Sequence, residues 1–284
     1  MRTSGLRALR QRGDGPTVVL LHGWPDSVLR FERVLPLLRD LDVIVPAYPG
    51  YPFSAPAEGA SETAIADVVA DALAELEVDR YVVSGGDIGA SVAAAVAERH
   101  ASQVTALHLT NVPFAHVGED VPEDLSDDER AYLAAVDRWD RDEGAYMHQQ
   151  STKPHTLAAA LNDSPAGLLA WMLEKLRSWS DCGGDVESVF SRGEILTWAT
   201  AYWVTDTIGT AFSNYVETWT PPSRIDVPTV VTFFPAELTL APREWAARFY
   251  DLRRYTLESD GGHFTAWERP EAYVASIRAA VDLA

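Results

Sequence analysis

Hydrophobic and polar positions along the chain fall into two alternating rhythms. Thr17-Val18-Val19-Leu20-Leu21-His22 is a short, nearly unbroken apolar run of the kind buried on both faces of a parallel sheet. Val28, Phe31, Val34, Leu35 and Leu38 then recur at helical spacing, which predicts a helix opening at an Asp26 or Ser27 cap and running through Leu41. Asp42–Ala47 reads as a second strand, followed by the turn-rich stretch Pro49–Pro56. Ile65, Val68, Val69, Ala72, Leu73 and Leu76 mark another amphipathic helix. Next come a strand over Arg80–Ser84, a glycine-rich corner and an Ala/Val-rich helix to Ala97, then a strand over Gln103–Thr110. Such alternation predicts an α/β architecture, a mostly parallel sheet with helices on both faces.

The rhythm changes at about Pro113. From there to Arg224 the sequence reads as helices and loops rich in aromatics, notably Thr156–Leu161, Ser164–Trp179 and Gly193–Tyr215. Strand patterns resume at Val227–Phe234 and Leu252–Leu257, and a closing helix spans Pro270–Leu283. The simplest organisation is a core of residues 1–112 and 225–284 with a helical lid, residues 113–224, inserted over the C-terminal edge of the sheet. Ligands bind at that edge in open α/β folds.

Composition removes several classes of function. With 23 basic and 42 acidic side chains the net charge is −19, which repels nucleic acid and anionic membranes. The acids are dispersed, and their one concentration, Gly118–Arg130, reads as a solvated loop. A single cysteine, Cys182, excludes an internal disulfide framework and fits a reducing compartment. The Arg-rich start, Met1–Arg12, lacks the apolar region of a secretory signal, and no run is long enough to span a bilayer. The expectation is a soluble, cytoplasmic protein; a homodimer stays open.

The corner Gly85-Gly86-Asp87-Ile88-Gly89 has the small-x-nucleophile-x-small form of a nucleophile elbow, with aspartate at its apex. A carboxylate is ionised near pH 7 without a base to deprotonate it, so it can attack carbon directly and form an ester. Release of that ester needs activated water, the work of a histidine oriented by an acid. His263 follows the last strand in Ser259–Phe264, and Glu237 follows the preceding strand in Phe234–Leu238. Asp260 is the competing acid, read as a turn residue. Of the other histidines, His22 is expected to shape its loop, His108 lies in a strand, His100 ends a helix and His116 enters the helical segment. His148 and His155 make a weak metal pair with no third ligand, so neither metal nor cofactor is expected. Ser91 also fits a small-x-Ser-x-small pattern but lies a turn into the helix. Backbone N–H groups of Ile88 and Trp24 are placed for an oxyanion hole, which Pro25 cannot serve.

Together these residues resemble the epoxide hydrolases of the α/β-hydrolase fold, the microsomal-type branch above all. The resemblance rests on His22-Gly23-Trp24-Pro25, Pro49–Ser54, Gly85–Gly89, Phe234-Pro235-Ala236-Glu237 and Gly261-Gly262-His263-Phe264 in the family's order. Tyr146–Thr156, Leu161–Gly167, Glu174-Lys175 and Trp179 in the helical segment extend it, so that it runs from about Pro16 to the C-terminus. It implies carboxylate attack on an epoxide carbon, protonation of the epoxide oxygen by two lid tyrosines, and ester hydrolysis by the His–acid pair to a vicinal diol. It also assigns those tyrosines to Tyr146 and Tyr215; spacing alone does not separate them from Tyr132 and Tyr202.

Two departures stand out. The first core strand arrives by Thr17, so the N-terminal extension of microsomal-type relatives is expected to be largely missing. Pro52 replaces a glycine usual in the Pro-Gly-x-Gly-Phe loop. A haloalkane dehalogenase would share the Asp chemistry, but Ile88 has no side-chain donor for a departing halide. A non-catalytic ligand-binding protein of this fold would not need the full residue set. Trp24, Pro25, Ile88 and Trp179 are the expected apolar wall for a small lipophilic or aryl epoxide, with water as second substrate.

Overall fold

The computed structural model describes residues 6–54, 57, 59–117, 121–217, 220–221 and 224–284; readings that fall on residues 1–5, 55–56 and 118–120 lie outside it. Strands β1 (Arg7–Gln11), β2 (Thr17–Leu21) and β3 (Asp42–Ala47) precede helix α1 (Glu62–Glu75). Then follow β4 (Tyr81–Gly85), α2 (Ile88–Arg99) and β5 (Val104–Leu109). Helices α3 (Asp127–Glu143), α4 (Ala145–Thr152), α5 (Pro154–Asp163), α6 (Pro165–Ser178), α7 (Arg192–Thr205) and α8 (Ser213–Val216) come next. The chain returns through β6 (Ile225–Phe233), α9 (Arg243–Phe249), β7 (Tyr250–Leu257), α10 (Thr265–Glu268) and α11 (Pro270–Val281).

The seven strands form one sheet in the order β1-β3-β2-β4-β5-β6-β7, parallel except for β1, which runs antiparallel to β3. Alternate residues of β2 serve opposite faces. Val19 and Leu21 join a core that includes α1, α2 and the helical segment, while Val18 and Leu20 pack with Phe31, Val34 and Ile277. Both faces are covered, which is why β2, β3, β4 and β5 read as apolar runs. Helix α2 is buried from Ile88 through Ala97, and its small Ala/Val side chains suit a helix enclosed on nearly all sides. Among the described residues no helix is long and apolar enough to cross a membrane.

Several expectations change. The helix expected over 28–41 is two short 3-10 turns, Val28–Phe31 and Leu35–Leu37. Pro36 lacks the N–H that an α-helix would bond to the carbonyl four residues back, so the run cannot continue. Ser27 does cap the first turn, accepting from Leu29 N–H at 3.3 Å. The Arg-rich start contains a strand, β1, ahead of the one at Thr17. The acidic run is not all loop: Ser126 and Glu129 close a capping box, and Asp127–Glu129 begin α3, where negative charge favours the helix N-terminus. The stretch 193–215 is broken at Asp206, whose left-handed φ of 54° ends α7.

Candidate active site

Between β4 and α2 the chain makes a turn only small residues allow. A Cβ at Gly85 would sit 2.0 Å from Gly89 O, and one at Gly89 would sit 2.3 Å from Leu21 O. Asp87, at the apex, has φ 59° and ψ −136°, a sparsely populated conformation for a non-glycine residue. Its backbone N–H donates to Asn111 Oδ1 at 2.8 Å, beyond the end of β5. The side chain is thereby projected past the C-terminal edge of the sheet.

Four loops at this edge converge on the carboxylate. Asp87 Oδ1 accepts from Trp24 N–H at 2.8 Å, and the Ile88 N–H, next along the chain, also favours the carboxylate anion. Gly23 lets the Trp24 loop approach, since a Cβ there would lie 2.4 Å from Asp87 Cβ. Asp87 Oδ2 lies 3.2 Å from His263 Nε2, an ion-pair contact off the line of a well-aligned hydrogen bond. On its other side His263 Nδ1 is 2.6 Å from Glu237 Oε1, which also accepts from Leu238 N–H at 2.9 Å. Asp260 faces away, paired with Arg269 at 2.9 Å.

Electrostatics ties these groups together. Burial disfavours the Asp87 anion, but His263 and the Ile88 and Trp24 N–H groups outweigh it and hold the carboxyl below its usual range. Burial likewise opposes a charged His263; the charge of Glu237 and the contact with Asp87 reverse this and raise its pKa to about 10. The His263 ring thus lies between two carboxyl groups, both of which favour its charged form.

Tyr146 of α4 and Tyr215 of α8 line, with Asp87, a cavity of about 300 Å³, and their rings meet edge to face at 5.8 Å. Burial first, and then neighbouring negative charge, keeps both phenols protonated well above the ordinary tyrosine value. Tyr202 instead donates to Asp26 O at 2.8 Å, and Tyr132 packs on Trp245. The cavity is also lined by Ile88, Ser91, Asn111, Phe114, Met147 and Leu238. Of the expected apolar wall only Ile88 lines it, and Trp24, Pro25 and Trp179 do not. Trp24 stacks on the Tyr146 ring at 5.4 Å and Trp179 packs on Tyr146 at 5.2 Å and edge-on to His263 at 5.3 Å, so both hold neighbouring site side chains in place.

Residues that pattern reading passed over hold the loops. Arg30 bonds Asp26, whose Oδ1 accepts Gly23 N–H at 2.8 Å, and it also donates to His263 O at 2.7 Å. This buried pair joins the Trp24 loop to the His263 loop. Asp26 was legible only as a helix cap, and Asn111 carried no signal beyond its place after a strand. His22 stacks on Tyr48 at 4.0 Å, His108 bonds Ser84 at 2.8 Å, His116 bonds Tyr250 at 2.8 Å, and His100 pairs with Asp67 at 3.0 Å. Among the described residues no group of His, Cys, Asp and Glu could hold a metal ion.

Comparison with known proteins bears on the fold and the family. The α/β hydrolase fold family matches residues 16–174. A putative epoxide hydrolase of Stigmatella aurantiaca is 34% identical over 96% of this chain and 66% of its own length. Epoxide hydrolase 1 of Sus scrofa is 31% identical over 92% and 66%. The chain thus spans just under two thirds of the length of these relatives. The structure of Aspergillus niger epoxide hydrolase superposes with a TM-score of 0.84 at 30% identity, covering 99% of this chain and 77% of that one. For juvenile hormone epoxide hydrolase of the silkworm Bombyx mori the TM-score is 0.82 at 29% identity, over 98% and 75%.

Proposed function

The chain belongs to the epoxide hydrolases of the α/β-hydrolase fold, and on that premise we propose that it opens a small lipophilic or aryl epoxide to a vicinal diol through an ester on Asp87. One observation carries the reading: an ionised, strained-elbow carboxylate faces two protonated tyrosines across one cavity, with an imidazole–carboxylate pair at its side.

In the first half-reaction Asp87 Oδ2 attacks an epoxide carbon while Oδ1 stays on the Trp24 N–H. The carbon–oxygen bond of the ring breaks, its electron pair goes to the epoxide oxygen, and Tyr146 and Tyr215 hydrogen-bond and protonate that oxygen. Strain drives the opening, but an alkoxide is a poor leaving group, so a donor opposite the nucleophile is needed.

Forming the ester removes the charge of Asp87, one of the two anions that hold the His263 proton. His263 then gives up the proton it held at rest, which returns through water to the tyrosine deprotonated in the first half-reaction, and the neutral imidazole takes a proton from water through Nε2, with Glu237 stabilising the imidazolium. The water oxygen adds to Asp87 Cγ, and the oxyanion develops on Oδ1, which accepts from the Trp24 N–H, with the Ile88 N–H as the second donor to the developing charge. Collapse releases the diol and restores the aspartate. Residues 113–224 serve as the lid that carries the tyrosines, and residues 1–112 and 225–284 as the core. A cytoplasmic setting belongs to the same reading and rests on the single cysteine, Cys182.

Intact-protein mass spectrometry of His263→Gln after exposure to mixed epoxides and haloalkanes tests the proposal. The expected result is a mass gain equal to a whole epoxide, mapped to Asp87. A gain equal to an alkyl group without its halide would convert the reading to a dehalogenase. No adduct on the folded protein would overturn it.

A further inference from the structure

Four consecutive backbone N–H groups in the His263 loop all find acceptors, and none of these is supplied by the strand ladder. Gly261 N–H donates to Asp181 Oδ2 at 2.9 Å, and Gly262 N–H to Glu268 Oε2 at 3.0 Å. His263 N–H donates to Trp179 O at 2.9 Å, and Phe264 N–H to Glu268 Oε1 at 2.9 Å. Glu268 Oε2 accepts a third bond, from Asp181 N–H at 2.8 Å. One buried carboxylate on α10 therefore grips the residues on both sides of His263 and the segment following α6.

The approach is close enough to exclude side chains. A Cβ on Gly262 would sit 2.7 Å from both Asp181 N and Trp179 O, and Gly261 adopts φ 103°. The two glycines permit the loop, and Glu268 fixes it. Burial raises the pKa of Glu268, and the three N–H donors pointing at its carboxylate oppose that rise, because each bond is strongest to the anion. His263 has little other freedom: its carbonyl is held by Arg30 and its Nδ1 by Glu237.

We propose that Glu268 is a positioning residue for ester hydrolysis, clamping His263 and the 179–181 segment into one unit so that Nε2 stays within reach of a water beside Asp87. The inference rests on the Asp87 ester mechanism proposed above. It separates the half-reactions: attack by Asp87 needs the elbow and the tyrosines, and hydrolysis needs His263 held to within a fraction of an ångström. Glu268 touches neither substrate nor the reacting atoms and acts only through the loop.

Glu268→Gln replaces one acceptor oxygen by an NH2 group, which turns at least one of the three bonds into a donor facing a donor. With an aryl epoxide in rapid-quench mass spectrometry, alkylation of Asp87 should proceed at close to the wild-type rate. Hydrolysis should slow by roughly 10- to 100-fold, so that the ester accumulates. Asp181→Ala, at an exposed position, removes only the Gly261 bond and should show the same selective loss in smaller measure. Equal slowing of both half-reactions, or of neither, in both variants overturns the proposal. NMR of the imidazole gives a readout independent of turnover: the Nδ1 proton held against Glu237 should broaden in Glu268→Gln, and an unchanged signal overturns the clamp even where no epoxide reacts. Absence of any adduct on His263→Gln, with that NMR change intact, would instead remove the ester mechanism and leave the clamp standing.

Discussion

His263 sits between Glu237 at 2.6 Å and Asp87 at 3.2 Å, and each carboxylate favours its protonated form. A base that is already protonated cannot activate water, so the proposed chemistry depends on losing one of those charges first. In that proposal esterification of Asp87 does this, and Asp87→Asn imitates it by removing the charge while keeping the shape. The imidazole pKa of His263, followed by NMR titration, should fall by about 1–3 units in Asp87→Asn relative to wild type. An unchanged value would mean that Glu237 alone holds the proton, and the ester could not switch the base on. At this scale the sequence was informative where chemistry and chain position coincide: a carboxylate at a glycine corner, a histidine after the last strand, an acid after the one before. It was silent on Asn111 and Arg30, because a side chain that bonds a backbone atom of a distant loop leaves no periodic or compositional trace.

At the level of elements, the strand–elbow–helix unit depends on two backbones crossing with no side chain between them. Gly89→Ala would drive a Cβ to 2.3 Å from Leu21 O and 2.7 Å from His22 O, both backbone atoms that cannot rotate away. We expect a loss of about 2–4 kcal/mol in urea unfolding, on the scale of severe overpacking. Gly193→Ala in α7, with its nearest neighbour 3.9 Å away, should stay within about 0.5 kcal/mol of wild type. Equal effects at the two sites would contradict the close-packing account of the elbow. Buried, regular elements such as β3, β4 and α2 were legible because every position repeats the same environment. Others were not. Pro36 breaks a run whose apolar spacing is helical throughout, and β1 is an edge strand with polar side chains on a half-exposed face. The seven-residue α9 is too short for its period to register. Tyr146 and Tyr215 were separable from Tyr132 and Tyr202 only by resemblance, since all four sit among aromatics and only the folded cavity distinguishes them.

Across the whole molecule, the charged groups of the proposed site come from positions far apart in sequence, so their mutual stabilisation exists only in the folded state. That makes the site a contributor to stability as well as to chemistry. The pKa of His263 is raised to about 10 in the fold, whereas in the unfolded chain it returns to an ordinary value near 6.5. Between these values the native state binds more protons than the unfolded state, so stability falls as pH rises. The contribution is full below about pH 6.5 and is lost as pH rises through about 10, an effect on the order of a few kcal/mol. Glutamine at position 263 cannot titrate, so subtracting its pH dependence from that of the wild type isolates this linkage from the titration of other groups. The measurement is the urea unfolding free energy of wild type and His263→Gln at intervals from pH 6 to pH 10. The difference between the two proteins should shrink steadily with rising pH. A constant difference would place the imidazole at its ordinary pKa in the folded protein and leave it neutral at rest. In that case the ion pair with Asp87 would not exist in solution, and no change of charge on esterification would be needed to free the base.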